Sequence, residues 1–199
     1  IDTVESRIDS ILIMDIEERD EFNNVVTGSA ADLPVGESLN VTNTVNAFSA
    51  RALDSSYAAA YFPDLKVTVP GALSSPVIVD VPPSVAVLGA YSKNDSLGAL
   101  WEAPAGVTRT KFDSTLVTEA VTSLDEKSLR DSLYDAKVNP IFAPAGTGLM
   151  IWGQKNLQQA NTLLDRVNVR RLLMHIRRTV KDLADAILFE PNRQETLDA

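Results

Sequence analysis

The chain has 199 residues, of which 45% are hydrophobic and 23% charged, as in soluble domains with a packed core. No apolar run approaches the roughly 18 residues that a membrane-spanning helix needs, and the net charge of −9 argues against a general nucleic-acid coat. With no cysteine and one histidine, His175, the chain lacks the residues for disulfides, thiol nucleophiles and Cys/His zinc sites.

The chain begins with a predicted helix. Apolar residues between Ile1 and Ile16 recur at steps of three and four, with charged residues to one side. This period favours a helix to about Arg19 over the alternative, a buried strand at 11–14. Because the first residues contain neither Met nor a basic leader, the chain is expected to be a piece of a longer protein.

Between residues 20 and 121, short apolar segments alternate with turn residues, which predicts short strands and helices joined by loops. The first half of this region is predicted to contain a strand at 22–26, a turn at 27–29, a breaker at 33–36, a helix at 37–51 and a strand at 66–69. The second half is predicted to contain a turn at 70–71, a strand at 77–79, a helix at 85–91, a loop at 95–110 and a strand at 111–121. Pro82 and Pro83 suit the start of the helix at 85–91, because proline is tolerated in a first helical turn. Trp101 is expected to fold back onto the loop.

A helix and a hairpin are predicted next. Ser123 and Glu126 have the spacing of a capping box, which predicts a helix at 124–136 with Leu129 and Leu133 on its inner side. Two short apolar strands joined by a Pro/Gly turn follow, at 138–142 and 149–152. Helices that alternate with short strands indicate a mixed α/β architecture.

The last predicted element is one long basic amphipathic helix at about 166–189, ended before Pro191. Within about 60° of Val169 on a helical wheel lies an apolar stripe that is expected to be buried. The stripe consists of Leu172, Leu173, Ile176, Val180, Leu183 and Ile187. The other faces carry cations, with no acid among residues 166–181. These are Arg166, Arg170, Arg171, Arg177, Arg178 and Lys181.

The charge of the chain is uneven. Residues 1–149 carry 10 basic and 21 acidic side chains, a net −11, whereas residues 150–199 carry 8 and 6, a net +2. The cations of the helix repel one another by a few tenths of a kcal/mol per pair, which an acidic partner would relieve. A solvated helix face remains an alternative. Nucleic acid is disfavoured, because aromatic residues are not interleaved with the cations and the rest of the chain is acidic.

No catalytic, cofactor-binding or metal-ligating residues are predicted. A Ser-His-Asp triad would require His175, which lies among arginines on the polar side of the helix and is interpreted as a solvated or interface residue. Ser55 and Ser56 are not in a nucleophile elbow. The chain also contains no glycine-rich phosphate loop and no EF-hand calcium motif.

Several short blocks, in the same order along the chain, resemble the tail sheath proteins of contractile-tailed bacteriophages. The blocks are DSSYAAAYFPDLKV (54–67), VPPS (81–84), GAY (89–91), WEAPAG (101–106), VNPI (138–141), GTG (146–148), IWG (151–153), VNVRRL (167–172) and FEPN (189–192). The resemblance covers nearly the whole chain from about Ile8.

The resemblance implies an α/β (mixed α+β) fold with a tail-sheath-like core and helices packed on mixed β-sheets. Residues 1–115 would be part of the core domain, a non-catalytic region of subtilisin-like topology. Residues 116–199 would form the conserved C-terminal lobe that contains the basic helix. Sheath subunits of this kind are longer than this chain and are linked by terminal arms that add strands to a neighbour's sheet. Without those arms, the isolated chain is expected to be monomeric or weakly associated.

The function implied by the resemblance is structural, not enzymatic. Sheath subunits stack as hexameric rings around the tail tube and, when the baseplate triggers them, contract to drive the tube through the host envelope. The implied location is the tail sheath of a virion assembled in the host bacterial cytoplasm. The six cations of the long basic helix are expected to contact an acidic tube or a neighbouring subunit through weak, screenable charge pairs.

Two alternatives to a phage sheath remain open at this point. One is the sheath of a phage-derived bacteriocin or another contractile injection system. The other, of a different class, is a hydrolase built on a subtilisin-like core. Such a hydrolase would need a serine and an acid in contact with His175.

Overall fold

The chain folds into a larger mixed sheet covered by helices on both faces and a smaller antiparallel sheet. The computed structural model describes residues 1–26, 33, 38–70 and 76–188. The helices in these ranges are α1 (Asp2–Arg7), α2 (Val41–Ala50), α3 (Pro83–Leu97), α4 (Val107–Thr110), α5 (Lys127–Asp135) and α6 (Val167–Ile187). The strands are β1 (Leu12–Asp15), β2 (Ala58–Phe62), β3 (Leu65–Val69), β4 (Val77–Val81), β5 (Val117–Ala120), β6 (Val138–Phe142) and β7 (Met150–Ile151).

The larger sheet has the strand order β1-β2-β6-β7. Strands β1, β2 and β6 are parallel, and β7 pairs with β6 in the antiparallel direction. The smaller sheet has the order β4-β3-β5, and both of its pairings are antiparallel. This arrangement confirms the predicted class, a mixed α/β fold with helices packed on mixed sheets.

Strand β2 forms the centre of the core, and all five of its residues are buried. Successive side chains of a strand point to opposite faces. On one face, Ala58, Ala60 and Phe62 belong to an apolar cluster that includes residues of α2 and α5. On the other face, Ala59 and Tyr61 belong to a second cluster that includes residues of α3. The near-continuous apolar sequence of β2 follows from this two-sided burial.

A fully buried asparagine ties β6 to the chain that follows β7. The side-chain amide of Asn139 donates hydrogen bonds to the carbonyls of Ala60 (3.1 Å) and Lys155 (2.7 Å), and its oxygen accepts one from the Lys155 N–H (2.7 Å). Gly153 permits this approach, because a Cβ there would lie 2.8 Å from the Asn139 side-chain oxygen. Three backbone groups are thus satisfied by one side chain.

The predicted helix to Arg19 is wrong beyond its first turns. Helix α1 ends at Arg7, Ile8 has a left-handed φ of 55°, and Leu12–Asp15 forms β1, close to the alternative strand. Leu12 and Met14 pack on one core cluster, while Ile11 and Ile13 pack on the other. A strand with apolar side chains on both faces can imitate a helical period in a short window.

Three other predicted elements need correction. The segment 22–26 is a turn with an isolated bridge between Arg19 and Val25, not a strand. The capping box does not form, because the Ser123 hydroxyl donates to the Asp125 carboxylate (2.6 Å) and α5 begins only at Lys127. The predicted loop at 95–110 contains the end of α3 and all of α4.

Several local predictions are confirmed. Helix α2 lies within the predicted range, with Asn40 as its N-cap, and α3 begins at Pro83. The segments 66–69 and 77–79 pair as β3 and β4, β5 lies within 111–121, and the β6–β7 hairpin forms. Leu133 is fully buried, and Leu129 packs beside it in the same cluster.

Some predictions fall outside the described residues. They concern the turn at 27–29, the breaker apart from Leu33, Gly71 of the turn at 70–71, the FEPN block and the stop at Pro191.

Candidate interaction surface

Helix α6 is attached to the fold through its first turn and is exposed along most of its length. Val167 is fully buried, and Arg170 and Arg171 are also buried. Every described side chain from residue 175 to 186 is exposed. The helix therefore presents its C-terminal half to solvent while its N-terminal turn fixes its position.

Arg170 joins α6 to the residues that precede β2. Its guanidinium donates hydrogen bonds to the Tyr57 hydroxyl (3.1 Å) and to the Ser56 hydroxyl. The guanidinium carbon also lies 4.2 Å from the centre of the Tyr57 ring, in a cation–π contact. Arg170 is thus used within the fold.

Arg171 joins α6 to α3. Its Nη2 lies 2.6 and 2.5 Å from the two carboxylate oxygens of Asp95, and its guanidinium carbon lies 5.0 Å from the centre of the Tyr91 ring. The Tyr91 hydroxyl is hydrogen-bonded to that of Tyr61. Burial raises the pKa of Tyr91 to about 12, so its hydroxyl is a neutral hydrogen-bonding group at physiological pH.

Arg166 is also paired within the fold. It donates a hydrogen bond to the Tyr134 hydroxyl (2.7 Å) and forms an ion pair with Asp165 (3.3 Å). Three of the six cations predicted to form one contact surface therefore make contacts inside the subunit. The remaining three are Arg177, Arg178 and Lys181.

Arg177, Arg178 and Lys181 are exposed, and none forms an ion pair or a side-chain hydrogen bond with another residue of the described ranges. They line one side of a cleft of about 720 Å³, and the chain from Arg7 to Ile11 lines another. The unpaired cations of α6 therefore share this cleft with the segment from Arg7 to Ile11.

Most of the apolar stripe of α6 is exposed, contrary to the prediction that it is buried, and Leu172 is half-buried. Four of its members increase in exposure along the helix: Leu173 (40%), Ile176 (47%), Val180 (58%) and Leu183 (63%). The side chain of Ile187 lies outside the described part. The stripe is exposed because α6 packs on the fold through its N-terminal end, where Val167, Arg170 and Arg171 are buried. An exposed apolar stripe of this kind is typical of interaction surfaces.

The sequence reasoning missed the partners that hold the arginines, namely Tyr57, Tyr91, Asp95 and Tyr134. A signal was present. Tyr57, Tyr91 and both buried arginines lie in blocks that carry the family resemblance, and those blocks meet in the structure.

The described residues contain no group of three or more His, Cys, Asp or Glu side chains placed to hold a metal ion. The ring centres of His175 and Trp101 are 6.5 Å apart, and no serine side chain in the described ranges is hydrogen-bonded to His175. None of the described helices combines the length and apolar character that crossing a bilayer requires.

A cluster of carboxyl groups lies beside the end of β1. Glu18 is buried and accepts a hydrogen bond from the Asp64 N–H (3.3 Å). Burial and the neighbouring charges of Asp64 and Asp80 raise the pKa of Glu18 to about 7. Burial and the charges of Asp15 and Asp80 raise the pKa of Asp64 to about 6. These groups are held protonated at mildly acidic pH.

Replacing Glu18 by glutamine is expected to stabilise the protein at pH 8 and to have little effect near pH 4.5. The folded state binds the Glu18 proton more tightly than the unfolded chain, whose pKa is the ordinary 4.5. The stabilisation from the protonated form is therefore complete below pH 4.5 and is lost as the pH rises through about 7. The expected gain at pH 8 is up to about 3 kcal/mol in the free energy of unfolding.

Urea unfolding of the wild type and the variant across this pH range measures the effect. Glu17→Gln is the matched control, because Glu17 is the adjacent, exposed carboxylate. Equal gains for the two variants at pH 8 would contradict the assignment to Glu18.

The comparisons with known proteins point to contractile sheaths. No family model matches the chain. Over 116 residues, 58% of this chain, the sequence is 32% identical to the tail sheath protein of Vibrio phage KVP40 and 28% identical to that of Enterobacteria phage T4. The matched stretch is 17% of the length of each relative. The resemblance to tail sheath proteins is thereby confirmed.

The fold leads to the same class of protein. The chain is similar to a subunit of the PVC sheath complex of an extracellular contractile injection system, solved in its contracted state. The TM-score is 0.66 at 27% identity, and the similarity covers 81% of this chain and 42% of the other.

Proposed function

We propose that this chain forms part of a structural, non-enzymatic subunit of a contractile tail sheath. The subunit polymerises as stacked hexameric rings around a tail tube and contracts to drive the tube through the host envelope. The observation that carries the proposal is that the sequence and the fold both resemble sheath proteins. Its partners are other sheath subunits, the tube and the baseplate. Its location is the virion tail sheath, assembled in the host bacterial cytoplasm.

The exposed surface of α6 supports a role in assembly. A stripe of four exposed apolar side chains beside three unpaired cations has the apolar and charged composition of a protein interface. The cations Arg177, Arg178 and Lys181 are proposed to face an acidic surface of the tube or of a neighbouring subunit. Their ion pairs would be weak and screened by salt, which suits a contact that is released on contraction.

We also propose that the chain divides into a core part at 1–115 and a C-terminal lobe at 116–199. Strands from both parts share the larger sheet, since β2 pairs with β6. The two parts are therefore proposed as regions of the sheath fold that meet in one sheet.

A second candidate function is the sheath of a phage-derived bacteriocin or another contractile injection system. The similarity to the PVC sheath complex is consistent with it, as the two phage relatives are with the first candidate. Electron microscopy of particles from the producing strain separates the two candidates. DNA-filled heads on the sheathed tails indicate a phage, and headless sheathed particles indicate the alternative.

The test of the proposed function is reversal of Arg177, Arg178 and Lys181 to Glu in the full-length protein that contains this chain. We expect negative-stain images to show few or no extended sheathed tails. The matched control reverses three exposed cations elsewhere, Arg51, Lys111 and Lys127, with the same change in net charge. Normal tails from the α6 variant, or equal loss in both variants, would overturn the proposed role of these cations.

A further inference from the structure

The cleft beside α6 carries more positive charge than its own acids compensate. Five cationic side chains line it: Arg7, Arg171, Arg177, Arg178 and Lys181. Asp9 forms an ion pair with Arg7, with both nitrogen–oxygen distances 3.2 Å, and Asp95 forms an ion pair with Arg171. Among the described residues that line the cleft, Asp182 is the remaining acid, against three unpaired cations. The cleft therefore attracts anions.

Arg171 gives the cleft a fixed hydrogen-bond donor. Its side chain is 9% exposed and is held by the Asp95 carboxylate and the Tyr91 ring. Its Nη1 is buried and has no hydrogen-bond partner among the described residues. Leaving a charged donor unpaired costs more than leaving a neutral one. An oxygen acceptor from outside the chain would remove that cost once a shift of the lining side chains uncovers this nitrogen, which has almost no accessible surface in the unbound chain.

Apolar side chains line the same cleft. They are Ile8, Ile11, Leu100 and Met174. A small inorganic anion would leave these side chains without contacts. A ligand that presents carboxylates and apolar groups together would use both kinds of lining.

We propose that this cleft binds an acidic peptide segment with interspersed apolar side chains, one carboxylate of which accepts a hydrogen bond from Arg171. Nucleic acid fits the cleft less well. Among the described residues that line it, His175 is the one aromatic side chain, so bases would have few stacking partners, and Asp9 and Asp182 would repel phosphates. The inference deepens the proposed function. It rests on that function in one respect, the identity of the protein that supplies the acidic segment.

The test is calorimetric titration of the 199-residue chain with an acetylated, amidated hexapeptide of alternating Glu and Leu. We expect it to bind at least tenfold more tightly than the Glu/Ser and Ser/Leu hexapeptides, and to weaken as salt is raised. Substituting Arg178→Ala and Lys181→Ala together is expected to weaken binding at least tenfold. Arg51→Ala with Lys127→Ala, an exposed arginine and lysine outside the cleft, is the matched control.

Arg171→Lys tests the fixed donor, because lysine keeps a charge beside Asp95 and lacks the second guanidinium nitrogen. We expect at least threefold weaker binding, measured at a temperature where the unfolding curve of this less stable variant shows it fully folded. The inference is overturned if the cleft variants bind the peptide as the wild type does. Tighter binding of a 12-base-pair DNA duplex, or equal binding of inorganic phosphate, would also overturn it. Peptide binding is measured on the isolated chain and does not depend on tail formation. If the peptide fails to bind while the reversal variant still gives defective tails, the inference is overturned and the proposed function stands.

Discussion

Replacing Asn139 by alanine is expected to lower the free energy of unfolding by about 3–5 kcal/mol. The side chain is fully buried and satisfies three backbone groups, the carbonyl of Ala60 and both polar groups of Lys155. Alanine satisfies none of them and leaves a gap beside Gly153. Buried polar groups that lose their partner cost about 1–3 kcal/mol each, and the small cavity adds to that cost.

Urea denaturation followed by circular dichroism measures the loss. Asn46→Ala is the matched control, because Asn46 is exposed on α2 and alanine is the better helix former. We expect Asn46→Ala to be neutral or slightly stabilising. A loss below 1 kcal/mol for the Asn139 variant, with an unchanged denaturant slope, would contradict the role given to its three hydrogen bonds.

Much of the fold could be predicted where the signal is local. The β6–β7 hairpin and the start of α3 at Pro83 depend on residues within a few positions of one another. Turn chemistry and proline geometry act over that range. These elements form as predicted because nothing distant in the chain opposes them.

The N-terminal strand could not be identified by the same means. Strand β1 pairs with β2, which is more than 40 residues away, and both faces of its neighbourhood are covered. The run Ile11–Met14 is therefore apolar throughout and lacks the alternation that marks a half-exposed strand. Only the pairing partner distinguishes it from a helical turn.

The burial of two basic residues of α6 could not be predicted from the sequence either. A helical wheel assumes that the most apolar face is the buried one. In this fold the buried residues of α6 are Val167, Arg170 and Arg171. The two arginines are held by Tyr57 and Asp95, at sequence separations of 113 and 76. Such partners cannot be found from the period of one helix. The resemblance blocks located both arginines without indicating that they are buried.

Substituting Asp95→Ala is expected to destabilise the protein by about 3 kcal/mol and to loosen α6 from α3. The carboxylate accepts both short hydrogen bonds from Arg171, whose side chain is 9% exposed. Removing it leaves a buried guanidinium with neither an ion pair nor its hydrogen bonds, and an uncompensated buried charge is among the costliest single defects. The same substitution at Asp131, which forms an exposed 3.8 Å pair with Lys127, is expected to cost less than about 1 kcal/mol.

The double variant Asp95→Leu, Arg171→Met distinguishes the loss of the pair from the loss of packing. Replacing both charges by apolar groups of similar length removes the desolvation cost together with the attraction, and such replacements are often nearly neutral. We therefore expect the double variant to be more stable than Asp95→Ala and close to the wild type, and a double-mutant cycle completed with both single variants to give a coupling of about 1–3 kcal/mol. If Asp95→Ala cost no more than Asp131→Ala, the Arg171–Asp95 pair would not be what fixes the first turn of α6.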